Sequence, residues 1–188
     1  MKKLVVKCHL DDQETFDRRA VKTGLEFGPA IWQHERVYLP HDFRPGMNHP
    51  RLVMRTEVLA TDQPAQYAMY LKRHIEDSGV DYVYYTSVGD YTEATGIIHQ
   101  LGFRKVSEVS RQRREARLDD NTVFYLDVVE GLEGEFLKIE LELVEDVPIE
   151  GLRQDLYRTL GLLGQKTFLM QTYAELMLGQ MQPYYLPE

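Results

Sequence analysis

Apolar and polar residues alternate along much of this chain. In residues 3–10, Leu4, Val6, Cys8 and Leu10 fall on one side, and Lys3, Val5, Lys7 and His9 on the other. That two-residue period belongs to a strand with unlike faces. It is strictest near the C-terminal third, where Leu137, Ile139, Leu141 and Leu143 interleave with Lys138, Glu140 and Glu142. Further strands are predicted at about 31–39, 51–59, 66–75, 80–88, 104–117, 121–129 and 134–144. Arg51, Val53, Arg55 and Glu57 share one face, Tyr70, Lys72 and His74 another, and Arg111 and Arg113 a third. Asp127 stands toward the end of its strand.

Other segments carry helix signals. Asp11 followed by Glu14 marks a start, and Gly24 stops the helix just past Lys22. Asp90 caps a second helix that ends at Gly102. Pro148 stands near the start of a C-terminal region read as helices over 150–163 and 165–179, with Phe168, Leu169, Tyr173, Leu176 and Met177 as an apolar stripe. Pro40 to Pro50 reads as an exposed loop. The count is about eight strands, in two strands–helix–strands passages over residues 3–75 and 80–144. Short connections imply antiparallel pairing. Such a sheet can curl until its charged face lines a cavity.

Composition narrows the classes. The chain has 188 residues, 28% of them charged and 43% hydrophobic, as in an ordinary globular domain. It is read as a single domain over residues 1–188, with the helical region 148–179 packed on the sheet. A net charge of −8 argues against nucleic acid as a partner while leaving room for a basic pocket. Cys8 is the single cysteine, so no intramolecular disulfide and no multi-cysteine zinc site can form. No apolar run approaches membrane-spanning length and no signal peptide is seen, so a cytoplasmic protein is expected. His9, His34, His41, His49, His74 and His99 have no metal-ligand spacing. Cys8 falls on an apolar face as a core thiol, and the cluster Tyr82, Tyr84 and Tyr85 suits a strand or a stacked base. The alternating charges are those of a solvated strand or of a concave surface for a polyanion.

The order of several short motifs resembles the CYTH superfamily, the triphosphate tunnel enzymes. The motifs are Lys7-Cys-His-Leu-Asp-Asp12; Gly24-Leu-Glu-Phe-Gly28 with Tyr38; Tyr70-Leu-Lys-Arg73; Leu101-Gly-Phe103 before Arg111-x-Arg113; Leu126-Asp127 and Gly131-Leu132 before Phe136-x-x-Ile139-Glu140; and Gln171-Thr-Tyr173-Ala-Glu-Leu176. The resemblance spans nearly the whole chain and is nearest the class IV adenylyl cyclase-like branch; thiamine triphosphatases and inorganic triphosphatases are other members. It implies an α+β fold, an eight-stranded antiparallel barrel with flanking helices. It also implies a tunnel in which basic side chains bind a triphosphate and acidic ones hold Mg²⁺ or Mn²⁺, since hard cations prefer carboxylate oxygen and arginine suits phosphate.

Carried over position by position, the resemblance makes Lys7, Arg51, Arg55, Lys72, Arg111 and Arg113 the phosphate ligands, with Lys7 and Arg113 as the catalytic candidates. Asp127, Glu140 and Glu142 become the metal candidates. The chain departs from the pattern on its acidic side. The family's first strand reads Glu-x-Glu-x-Lys, whereas here Lys3, Val5 and Lys7 occupy those places. Lys138 stands at the first of two late acidic positions, and Tyr82, Tyr84 and Thr86 replace acidic residues of the middle strand. The expected ligand is ATP, thiamine triphosphate or tripolyphosphate, bound by a monomer or homodimer, with cyclase or triphosphatase chemistry if a metal is held. The alternative is an inactive, metal-independent module that binds or senses a nucleotide or polyphosphate.

Overall fold

The structure is a computed structural model that describes residues 1–43, 49–59, 63–75, 80–144, 147–169 and 171–181, the last four by backbone alone. Among these residues the chain runs β1 (Lys2–His9), α1 (Gln13–Lys22), β2 (Ile31–Pro40), β3 (Arg51–Val58), β4 (Gln66–Ile75), β5 (Val80–Val88), α2 (Tyr91–Gln100), β6 (Phe103–Arg117), β7 (Thr122–Val129), β8 (Glu135–Leu143), α3 (Ile149–Leu162) and α4 (Tyr173–Met181). The strands close into a barrel in the order β1-β5-β4-β3-β2-β6-β7-β8, and every neighbouring pair is antiparallel. Closure leaves no free sheet edge. The β2–β6 and β1–β5 pairings join the two halves read from the sequence. Part of the Pro40–Pro50 loop lies outside the described residues.

Where helices cover the barrel, its outward face is apolar. Leu4, Val6 and Cys8 of β1 form one core with Phe16 and Ala20 of α1 and Leu156 and Leu160 of α3. Tyr38, Leu52 and Met54 pack with Ile98 of α2. Asp12 rather than Asp11 caps α1, accepting from the Thr15 N–H at 3.1 Å. Asp90 caps α2 by accepting from the Glu93 N–H at 3.0 Å. Gly134, in the turn between β7 and β8, has φ +77, and a Cβ there would lie 2.3 Å from His9 Nε2, so any larger residue would take up strain and displace the His9 ring.

The last helix starts later than its apolar stripe suggests. Gly164 (φ +91) ends α3, and the Leu169 N–H then donates to the Lys7 carbonyl at 2.7 Å. Backbone hydrogen bonding to β1 thus competes with helix formation before residue 173. A capping box starts α4: the Thr172 N–H donates to Glu175 at 2.6 Å and the Glu175 N–H to Thr172 Oγ1 at 3.3 Å. Tyr173 packs on Val109, Val129 and Phe136. By register these three point into the barrel, so α4 closes one of its ends.

Cys8 is fully buried, and burial pushes its thiol up to about 12. The native protein is therefore expected to leave Ellman's reagent unreacted at pH 8 and to release one equivalent of thiol in denaturant. Rapid reaction of the folded chain would contradict this placement.

Candidate functional site

Directly paired residues on neighbouring strands point to the same side of a sheet. The register Glu35↔Arg55, Gln33↔Arg111, Arg113↔Asp127 and Lys7↔Lys138 therefore turns one continuous set of charges inward. Glu35, 7% exposed, is the centre of one cluster. Arg111 donates to its Oε1 at 2.7 Å and to its Oε2 at 3.3 Å. Arg55 donates to Oε1 through Nε at 2.8 Å. Arg111 also donates to Gln33 Oε1 at 2.8 and 2.9 Å. Arg55 reaches the Tyr70 hydroxyl at 2.9 Å and Glu57 at 3.3 Å. Burial alone would raise the Glu35 carboxyl, but Arg111 and Arg55 outweigh it and hold the group well below its ordinary range.

Asp127 is the second centre and is fully buried. Arg113 grips it with two parallel hydrogen bonds of 2.6 Å, and the Tyr173 hydroxyl donates to it at 2.8 Å. Burial opposes ionisation here too, yet the Arg113 charge and hydrogen bonds bring the carboxyl down to about 2. Glu140 is the third centre. Lys3 donates to its Oε2 at 2.8 Å and Lys138 to its Oε1. These lysines overcome the effect of burial and hold Glu140 well below the usual carboxylate range.

Lys7 and Lys72 are less fully compensated. Lys7 donates to the Gln171 carbonyl and lies 4.3 Å from the centre of the Tyr173 ring. Burial, and then the Lys138 charge, lower its ammonium to about 7. Lys72 is also lowered to about 7, mainly by burial, with Glu35 opposing and Arg55 reinforcing the shift. Within the barrel, Lys3, Lys7, Arg55, Lys72, Arg111, Arg113 and Lys138 outnumber Glu35, Glu57, Asp127 and Glu140. The lumen is thus basic inside a chain of net charge −8.

The remaining sequence candidates are placed as follows. Arg51 pairs with Lys72 on the inner face and is half-buried. Glu142 pairs with Lys3 but is exposed at the end of β8. Tyr82, Tyr84 and Thr86 turn outward, opposite Lys2, Leu71 and Met69. The inward positions of β5 are Asp81, Val83 and Tyr85, opposite His74, Lys72 and Tyr70. Glu35 and Gln33 were not singled out from the sequence. Residues 31–40 are polar or charged at many positions of both parities, so alternation alone gave no inward face. Glu57 and Tyr70 did show the correct parity in the pattern.

The carboxylates do not fit a divalent cation as they stand. Both oxygens of Asp127 and both of Glu140 already accept from cationic side chains, and Glu142 lies at the rim. Among the described residues no three His, Cys, Asp or Glu side chains form a group able to hold a metal ion. A hard cation needs oxygen ligands that it does not share with ammonium groups. Lys3 and Lys138 instead place positive charge on both oxygens of Glu140.

A closed antiparallel barrel whose lumen holds arginine and lysine around a few carboxylates defines a basic tunnel protein. The chain belongs to the CYTH domain family, whose model matches residues 1–173. Among solved structures, a protein from Pyrococcus horikoshii OT3 superposes with a TM-score of 0.81 at 20% identity, covering 95% of this chain and 99% of that one. A candidate adenylate cyclase from Vibrio parahaemolyticus gives 0.77 at 13% identity over 94% and 97%. A candidate adenylyl cyclase from Hippeastrum, described as having a dominant triphosphatase activity, gives 0.60 at 13% over 100% and 98%. These likenesses establish the eight-stranded barrel as the fold. No protein of curated function matches the sequence significantly. No helix among the described residues is long and apolar enough to cross a membrane.

Proposed function

We propose that this chain binds the triphosphate group of a small molecule inside its barrel. The carrying observation is the excess of inward cations, with Lys7 and Lys72 lowered to about 7 chiefly by burial and in no direct ion pair among the described residues. A polyanion entering there would supply the missing countercharge. Arg55, Arg111 and Arg113 would present forked donors to phosphate oxygens, and Lys7, Lys72 and Arg51 would act chiefly as charges. Water excluded from the barrel strengthens each such contact.

Turnover as a cyclase or triphosphatase is a second reading, favoured by membership of the family. Lys7 and Arg113 are the residues that would stabilise charge on the reacting phosphorus. Mg²⁺ or Mn²⁺ would have to displace lysine from Glu140 or arginine from Asp127, so the carboxylates favour binding without metal.

Calorimetric titration with tripolyphosphate, first in EDTA and then with Mn²⁺, tests the reading. Binding in EDTA is expected, with loss of at least tenfold in affinity in Arg111→Ala, since charge-assisted bonds are worth about 1.5–3 kcal/mol. Absence of binding under both conditions would sink it. Assays for cyclic AMP and released phosphate with Mn²⁺ decide whether binding leads to turnover.

A further inference from the structure

Side chains from β2, β3 and β6 close a hydrogen-bonded ring inside the barrel. Arg111 donates to Gln33 Oε1 at 2.8 and 2.9 Å. Gln33 Nε2 donates to Glu57 Oε1 at 2.8 Å. Arg55 Nη1 donates to the same Glu57 oxygen at 3.3 Å. Arg55 also bonds Glu35, and Glu35 returns the ring to Arg111. The order follows from register, since β2 sets Gln33 and Glu35 opposite Glu57 and Arg55 on one side and Gln33 opposite Arg111 on the other. Arg55 and Arg111 are balanced by Glu35 and Glu57, so the ring carries no net charge.

Glu35 makes the tightest contacts in this ring. Its Oε1 lies 2.8 Å from Arg55 Nε, 2.6 Å from Arg55 Nη2 and 2.7 Å from Arg111 Nη2. Its Oε2 takes the longer bond of 3.3 Å from Arg111 Nη1. Carboxylate and phosphate oxygens use the same forked guanidinium geometry. Glu35 therefore stands where an anionic oxygen of a ligand would be held by these two arginines. The lysines are in a different state. Lys3 and Lys138 share the single carboxylate of Glu140, and Lys7 and Lys72 have no direct ion pair among the described residues. The uncompensated charge of the lumen sits on lysine, whereas Arg55 and Arg111 already have their anion.

We infer that Glu35 is an internal competitor of the ligand, occupying Arg55 and Arg111 in the empty barrel so that a bound polyphosphate must take these arginines from it. This rests on the triphosphate-binding reading above and adds what limits the affinity. The exchange favours a ligand that brings more charge than one carboxylate, as a terminal phosphate with close to two charges does. The competitor also has a structural use. Two buried guanidiniums left without a counterion would be strongly unfavourable. The same carboxylate thus stabilises the empty fold and weakens the ligand.

Glu35→Gln keeps the size of the side chain and one acceptor oxygen while removing the charge. Calorimetry of the full chain with tripolyphosphate in EDTA is expected to show affinity raised about tenfold over wild type. The empty variant should melt at a lower temperature and gain more from the ligand than wild type does. Glu57→Gln removes an equal charge that makes one longer contact with Arg55, and is expected to raise affinity less than about threefold. In Arg111→Ala the gain from Glu35→Gln should shrink, because one of the contested arginines is gone. A crystal structure of the wild-type chain with tripolyphosphate checks the exchange without any substitution, and serves equally should Glu35→Gln fail to fold. Phosphate oxygens are expected in place of Glu35 on Arg55, Arg111 or both. Unaltered or weakened binding in Glu35→Gln, equal gains in the two glutamine variants, or an intact Arg55–Glu35–Arg111 contact beside bound ligand overturns the inference and leaves the tunnel reading standing. Failure of the wild-type chain to bind tripolyphosphate overturns both.

Discussion

Arg113→Ala is expected to destabilise the protein by about 3–5 kcal/mol, the range for removing one partner of a buried ion pair. The reason is what remains behind. Asp127 is fully buried and is answered by Arg113 through two 2.6 Å bonds. Without the guanidinium it keeps only the Tyr173 hydroxyl. Urea unfolding at pH 7 measures the loss. The paired change Arg113→Met with Asp127→Leu should recover most of it, since apolar replacement of a whole buried pair is often neutral. A loss below about 1 kcal/mol in Arg113→Ala would refute the assignment of this pair as a buried contact.

The same pair predicts an acid limb. The Asp127 carboxyl is depressed to about 2 in the fold, below its ordinary 3.8. Its contribution is therefore complete above about pH 4 and is lost as pH falls through 2, because the unfolded chain takes up the proton first. Arg113→Ala should flatten that part of the stability profile. Denaturant melts of both proteins between pH 5 and 2 make the comparison.

Tripolyphosphate binding is expected to fall steeply as pH rises from 7 to 9. Lys7 and Lys72 have ammonium groups lowered to about 7 by burial. Above that pH they are mostly neutral and must take up protons to face a phosphate. Each required proton costs about tenfold in affinity per pH unit, which across two units approaches a hundredfold for each lysine. The ligand's own ionisation works in the opposite direction but is common to all variants. At pH 8.5, Lys7→Met and Lys72→Met should therefore each reduce proton uptake by about one proton relative to wild type. Calorimetry in buffers of different ionisation enthalpy counts those protons, and identical uptake in all three proteins would exclude the two lysines as ligands. For the free protein the sign is related. Unfolded lysine holds its proton up to its ordinary 10.5, so this contribution to stability rises as pH climbs from about 7 toward 10.5.

The strands were most legible where a two-residue period is strict, as in residues 3–10 and 137–143, because a period of two fixes both the element and its faces. Lys7, Arg55, Lys72, Arg111 and Arg113 show their shared faces in the sequence for the same reason. Three things were not legible. Residues 31–40 mix charges on both parities, so Glu35, which joins Arg55 to Arg111, was invisible as a centre. The tyrosine-rich β5 has aromatic residues on both faces, and only pairing with β1 and β4 decides that Tyr85 turns in while Tyr82 and Tyr84 turn out. The apolar stripe before α4 reads as helix from residue 165, but residues 165–169 form no helix, and the Leu169 N–H is bonded to the Lys7 carbonyl of β1.

The sequence by itself determined a sheet of about eight antiparallel strands, its apolar and charged faces, and the rise of lysine at positions where acidic residues were expected. Only the tertiary structure decided who partners whom. Alternation records the side of a strand, whereas an ion pair depends on the register between strands that are far apart in the chain. Lys3 and Glu140 stand 137 residues apart. Their contact, with Lys138 on the other oxygen, exists only because β1 closes the barrel against β8.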